Sequence, residues 1–269
     1  MVTPASPQTG VTLITGATSG LGLEFARIFA GKGSDLVITA RTEKNLNAVA
    51  KDLESKYGVQ VHSIALDLSD PKAPDKLFEF TQRQKLFVEV LVNNAGIGVH
   101  GKFAENAIDR ESELLELNII SLTKLCHLYL RPMLTAGRGK ILNIASLAAF
   151  QAGTYFATYF ASKAYVLLLT EALALEYRKT GVTVSALCPP PSRTGFFKRA
   201  GMPETSRVLR MSMHHAPKVA KAGYRGLMAG KTVILPSIRS RFIGTGYRVF
   251  PRSVISRIAD SLIAIASRG

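Results

Sequence analysis

Val11-Thr12-Leu13-Ile14-Thr15-Gly16-Ala17-Thr18-Ser19-Gly20-Leu21-Gly22 is the stretch on which the reading of this chain turns. Its first five residues are a short apolar, β-branched run, the pattern of a buried strand. Three glycines follow at the spacing G-x-x-x-G-x-G, and Leu23, Phe25, Ala26, Phe29 and Ala30 then offer an apolar helix face. Strand, glycine turn and helix in that order is the context in which a glycine cluster acquires meaning. Glycine lets the backbone approach a pyrophosphate, and free N–H groups at a helix start favour negative charge. Gly16, Thr18, Ser19, Gly20, Leu21 and Gly22 are therefore candidate dinucleotide-binding positions; the alternative is a tight turn that only starts a helix.

The alternation continues outward. Asp35-Leu36-Val37-Ile38-Thr39-Ala40 reads as a second strand, closed by Arg41. Sites specific for NAD usually place an acid there to bind the ribose hydroxyls. A guanidinium instead can fork onto a 2′-phosphate, so Arg41 argues for NADP(H) over NAD(H), unless it is simply a solvated arginine. Further strands are predicted at 59–66, ending in Asp67-Leu68, at 88–92, ending in Asn93-Asn94-Ala95-Gly96, and at 182–187. Strands alternating with helical patterns predict an α/β fold: a Rossmann-type, doubly wound parallel sheet of about seven strands. Ligands of such sheets lie beyond the strands' carboxyl ends. Asp67 and Asn93 fall there, either to meet an adenine or ribose, or to cap a helix and tie a turn.

Tyr159-Phe160-Ala161-Ser162-Lys163 sets a weak acid and a cation four residues apart, and Ser146 stands thirteen residues before the tyrosine. Positions i and i+4 are neighbours on a helix surface. A phenol titrates near ~10 and a nearby ammonium favours its phenolate. An acid/base whose pKa approaches the working pH suits proton transfer to a carbonyl oxygen. The same spacing also occurs on ordinary amphipathic helices.

Together these motifs resemble the short-chain dehydrogenases/reductases over roughly residues 10 to 195. Thr15 to Gly22 is similar to the family's cofactor loop, and Asn93-Asn94-Ala95-Gly96 to its adenine-side motif. Asn118, Ser146, Tyr159 and Lys163 match its catalytic tetrad. The resemblance implies that Tyr159 exchanges the proton, Ser146 polarises the carbonyl and Lys163 binds the nicotinamide ribose while lowering the Tyr159 pKa. It implies that Asn118 holds a water, and that Asp67, Leu68, Asn94, Ala95, Gly96, Pro189 and Thr194 flank the cofactor. One departure stands in Cys188-Pro189-Pro190-Pro191-Ser192-Arg193-Thr194: Pro190 replaces the family's usual glycine. Proline excludes the positive φ that glycine allows. By the same resemblance, residues 193–215 form a substrate loop and helix. There Phe196, Phe197, Met202, Leu209, Met211 and Met213 suggest a greasy, adaptable pocket, with Phe150, Tyr155 and Phe156 on its other side. His214 and His215 read as surface residues.

The 269 residues suit one domain with an ample core. Residues 1–9 read as a loose tail without the features of a signal peptide, and residues 10–269 as the domain. Cys126 and Cys188 have no metal-like or redox spacing and read as core residues in a reducing compartment. No apolar run reaches the ~18 residues of a membrane span. The net charge of +15 is concentrated at the end: residues 198–269 carry 14 Lys and Arg against 2 Asp and Glu. In the basic segment 237–269, Val254, Ile255, Ile258 and Leu262 recur at helical spacing behind Pro251. This resembles a basic amphipathic helix, which either packs on the domain or lies on a membrane surface. Base-stacking motifs and zinc spacings are absent, which argues against nucleic acid and metal. The expectation is a cytoplasmic, NADP(H)-dependent carbonyl reductase or alcohol dehydrogenase acting on hydrophobic substrates, and by resemblance a homodimer or homotetramer. The alternatives are a 3-oxoacyl reductase at a membrane face and a non-catalytic NADP-binding regulatory protein.

Overall fold

In the computed structural model, residues 10–202, 213–237 and 240–242 are described. Apolar runs become strands: β1 (Val11–Thr15), β2 (Leu36–Ala40), β3 (Val61–Ala65), β4 (Val88–Asn93), β5 (Gly139–Ile144), β6 (Val182–Leu187) and β7 (Val233–Ile234). Their order across the sheet is β3-β2-β1-β4-β5-β6-β7, every pair parallel. All five β1 residues are buried, as expected of a central strand covered on both faces. β3 is shorter at both ends than the 59–66 run, and at the entrance to β2 and β3 the Asp35 side chain accepts the Gln60 N–H at 2.8 Å.

The helices are α1 (Gly20–Ala30), α2 (Glu43–Tyr57), α3 (Ala73–Arg83), α4 (Ile108–Leu115), α5 (Leu122–Thr135), α6 (Ala157–Glu176), α7 (Phe196–Arg199) and α8 (Ala216–Met228). Successive strand residues point to opposite faces, and two cores result. Ile14, Ile38 and Leu142 meet Phe25, Leu53 and Val219 of α1, α2 and α8. Leu13, Val37 and Ile141 meet Leu77, Tyr129 and Val166 of α3, α5 and α6. The doubly wound sheet is thus the one expected. Its topological switch lies between β1, which pairs with β2 on one side and β4 on the other, and the site lies beyond their carboxyl ends. The loose tail at 1–9 and the amphipathic segment after Pro251 lie outside the described residues.

Candidate active site

The floor is a lock between β1 and β4. Thr15 Oγ1 accepts the N–H groups of Asn94 and Ala95, each at 2.9 Å. Asn94 Nδ2 donates back to the Thr15 and Gly16 carbonyls at 2.8 and 3.2 Å. This clamp leaves no room for side chains. Gly16 and Gly20 adopt φ of 66° and 57°, and a Cβ on Gly22 would sit 2.3 Å from the Gly16 carbonyl oxygen. α1 starts here with no acidic residue in its first turn. A concave glycine backbone with free N–H groups at a helix start is a fit for the pyrophosphate of a dinucleotide.

A cavity of about 660 Å³ opens above this floor. Gly16, Thr18, Ser19, Gly20 and Leu21 line it, as do Arg41, Asp67, Leu68, Asn94, Ala95, Gly96, Pro189 and Thr194. Gly22 is not part of the wall; it lets the turn close behind it. Arg41 stands at the mouth, its side chain 58% exposed and its Nη1 3.7 Å from Glu113 Oε1. Asp67 turns into its own loop and accepts Ser69 N–H and Oγ–H at 3.0 and 2.7 Å; it caps no helix. Asn93 is a structural tie, donating to Asn143 Oδ1 at 2.9 Å, and Asn143 in turn donates to Thr170 of α6 at 3.0 Å.

The hydroxyl pair lies at the inner end. Ser146, at the carboxyl end of β5, hydrogen-bonds the Tyr159 phenol. Lys163 is buried, its Nζ 5.8 Å from the Tyr159 ring centre and donating to the Ile144 carbonyl at 2.8 Å. Asn118 is buried just behind the cavity rather than in its wall. Its amide donates to the Ile97 carbonyl at 2.9 Å and to Ser162 Oγ at 3.1 Å, while its Oδ1 accepts the Ile97 N–H at 3.0 Å. It sits in a π-helical turn, Glu116–Ser121, which is where such local widening of a helix is often found. A Cβ on Gly96 would meet Asn118 Oδ1 at 3.1 Å and Lys163 Nζ at 3.4 Å, so these two side chains converge on the Gly96 backbone.

The electrostatics differ from the expectation that the ammonium lowers the phenol. Burial pushes Tyr159 up to about 12, opposed only by the Ser146 hydrogen bond. Burial likewise pulls Lys163 from 10.5 down to about 8. The ammonium is engaged by a backbone carbonyl instead of the phenol oxygen, so desolvation dominates both groups.

Aromatic residues form the remaining wall. Phe196 lies 5.0 Å from the Tyr159 ring and Phe156 6.1 Å, ring centre to ring centre. Phe197 and Met202 also line the cavity. Phe150 and Tyr155 do not. Phe150 turns into the core beneath α6. Tyr155, at φ 59°, is swung outward to stack on His100 with ring centres 5.8 Å apart. The aromatic wall on that side is made by Phe156 and Phe160. His214 is no surface residue either: it lines the cavity, and its Nδ1 is buried with no hydrogen-bond partner among the described residues. The proline segment keeps its path. Pro189 accepts the Leu147 N–H at 3.0 Å, and none of the positive φ values falls between Cys188 and Thr194, so Pro190 is accommodated. Arg199 and Phe160 line the cavity without having stood out in the sequence. Leu209 and Met211 lie outside the described residues.

Residues 10–204 match the short chain dehydrogenase family, and the chain belongs to it. It is 32% identical over 213 residues to the ketoacyl reductase HetN of Nostoc sp., spanning 79% of this chain and 70% of that protein. It superposes on a short-chain dehydrogenase from Sphingobium yanoikuyae in complex with NADPH with a TM-score of 0.82 and 30% identity, covering 91% of this chain and 95% of the other. The bulky-bulky ketone specific alcohol dehydrogenase from Comamonas testosteroni is similar at 27% identity and a TM-score of 0.75, covering 89% and 92%. The protein is accordingly an NAD(P)-dependent oxidoreductase. No helix among the described residues is long and apolar enough to cross a membrane.

Proposed function

We propose that this chain is an NADP(H)-preferring ketoreductase for hydrophobic ketones, with Tyr159 as the proton donor. The observation that carries the reading is one continuous cavity. It joins the glycine floor and Arg41 at one end to the Ser146–Tyr159 pair and its aromatic wall at the other. Gly16, Gly20, Thr194 and the α1 start would hold the pyrophosphate, Arg41 the 2′-phosphate, and Lys163 the ribose next to the nicotinamide. The cofactor, when bound, supplies the hydride. As charge grows on the carbonyl oxygen, Ser146 donates a hydrogen bond and Tyr159 gives up its proton, preplaced donors of the kind that stabilise a developing oxyanion by several kcal/mol. A phenol pushed up to about 12 is fully protonated at neutral pH, which suits reduction. For alcohol oxidation the same phenol would have to lose its proton first. Phe156, Phe196 and Phe197 exclude water and favour an apolar substrate. The exposed Leu168 and Leu175 of α6 support a homodimer or homotetramer through that helix.

The test is NADPH and NADH oxidation against aromatic, aliphatic and acyl-thioester ketones, with Tyr159→Phe as control. NADPH oxidation by the wild type that is lost in Tyr159→Phe, with NADPH still bound, supports the reading. Turnover that survives the substitution refutes the role of Tyr159. Arg41→Ala should raise the NADPH KM far more than the NADH KM. A second reading, 3-oxoacyl reduction, is favoured by the likeness to a ketoacyl reductase. It predicts that acyl thioesters outperform simple ketones.

A further inference from the structure

Arg199 is the cavity-lining cation that the reading above leaves without a role. It ends α7, the single turn that also carries Phe196 and Phe197. Gly195, at φ 70°, starts that turn, and Arg199 folds back across it, donating from Nη2 to the Thr194 carbonyl at 3.3 Å. Its Nη1 lies 2.9 Å from where a Cβ on Gly195 would stand, so the guanidinium packs over the open face of that glycine. Thr194 itself rests on the glycine floor, its Cβ 2.9 Å from where a Cβ on Gly20 would be. Arg199 is thereby brought over the cofactor floor on the side where Arg41 enters the same cavity.

Among the described residues the local charge is unbalanced. No ion pair engages Arg199 among the described residues. Glu113 is divided between Arg41 and Arg110. Asp67, the acidic residue in the cavity wall, is committed to Ser69. Arg199 remains exposed to solvent, and its partial desolvation and the nearby Arg41 both act against its charge. Two guanidiniums facing one cavity with so little counter-charge among the described residues are matched by a dianion, and a phosphate monoester carries about −1.5 to −2 at neutral pH.

We propose that Arg199 and Arg41 form a two-arginine site for the 2′-phosphate of the dinucleotide, Arg41 fixed at the end of β2 and Arg199 delivered by the loop that carries the aromatic wall. The proposal rests on the reading that the cavity takes a phosphorylated dinucleotide. It makes the substrate-side turn part of the cofactor-specificity device, so that loading the phosphate also seats Phe196 and Phe197.

The test is the dissociation constant of NADPH and of NADH, measured by fluorescence titration in the absence of substrate, for wild type, Arg41→Ala, Arg199→Ala and Arg199→Lys. Arg199→Ala is expected to weaken NADPH at least tenfold, equivalent to about 1.4 kcal/mol, and to leave NADH within about twofold. Arg199→Lys should recover part of the loss, since it keeps the charge and loses the fork. Titration with 2′-AMP and ADP separates the phosphate sources: Arg199→Ala should weaken 2′-AMP and spare ADP. An equal loss on NADPH and NADH would assign Arg199 to the pyrophosphate and overturn the 2′-phosphate site. Unchanged NADPH affinity with a folded protein by far-UV circular dichroism overturns any cofactor role. Failure of the underlying reading looks different, because wild type itself would then show no preference for NADPH.

Discussion

Lys163→Met should stabilise the cofactor-free protein while abolishing its turnover. Lys163 is 5% exposed, and burial pulls its pKa from 10.5 to about 8. At pH 7 the side chain is therefore charged in both folded and unfolded chains, and holding that charge in the fold costs about 3 kcal/mol. Methionine is similar in length and uncharged. It forfeits the hydrogen bond from Nζ to the Ile144 carbonyl, seen at 2.8 Å, worth about 1 kcal/mol. The net expectation is a gain of about 1–2 kcal/mol at pH 7. The sign of the pH dependence follows from the depressed value. Between pH 8 and 10.5 the unfolded chain binds more protons at this site than the native one, so wild-type stability gains from Lys163 as pH rises through that window. The gap between variant and wild type should accordingly narrow by about 1 kcal/mol from pH 7 to pH 9. The buried thiols of Cys126 and Cys188, each pushed up to about 12, act in the opposite direction but are common to both proteins and cancel in the difference. The assay is urea unfolding of the two cofactor-free proteins at both pH values. A variant less stable than wild type at pH 7, or a gap that does not change with pH, refutes the argument that Lys163 is held at a desolvation cost.

Thr15→Val keeps shape and removes the acceptor of two backbone N–H groups, so it should destabilise by about 2–3 kcal/mol in urea unfolding and weaken cofactor binding; a loss under about 0.5 kcal/mol would mean water replaces the hydroxyl. Gly22→Ala drives a Cβ to 2.3 Å from the Gly16 oxygen and should lower stability by more than about 2 kcal/mol and raise the NADPH Kd, measured by titration. Phe196→Ala removes the ring that lies 5.0 Å from Tyr159. It should shift the kcat/KM ratio of bulky to small ketones upward by about tenfold, and an unchanged ratio would place the substrate elsewhere.

Much of this protein was legible in its chain because parallel strands buried on both faces are rich in apolar and β-branched residues. Val11–Thr15 and Val182–Leu187 are read off at their true ends for that reason. The glycine spacing likewise announces itself, since only glycine tolerates the contacts found at Gly16, Gly20 and Gly22. Tyr159 and Lys163 are joined by helix geometry alone. Where a residue's neighbour comes from a distant part of the chain, the sequence is silent. Phe150, Tyr155 and Phe156 look alike in the sequence, yet only Phe156 faces the cavity, because the turn before α6 and the left-handed Tyr155 decide which way each ring points. Thr15 reads as a strand residue until β4 brings two N–H groups to it, and Arg199 reads as a solvated charge until its turn packs it over Gly195. The proton chemistry divides in the same way. The sequence determined which acid and which cation share a helix face; the tertiary structure decided, by burying both, that the phenol is held protonated and the ammonium made easier to deprotonate.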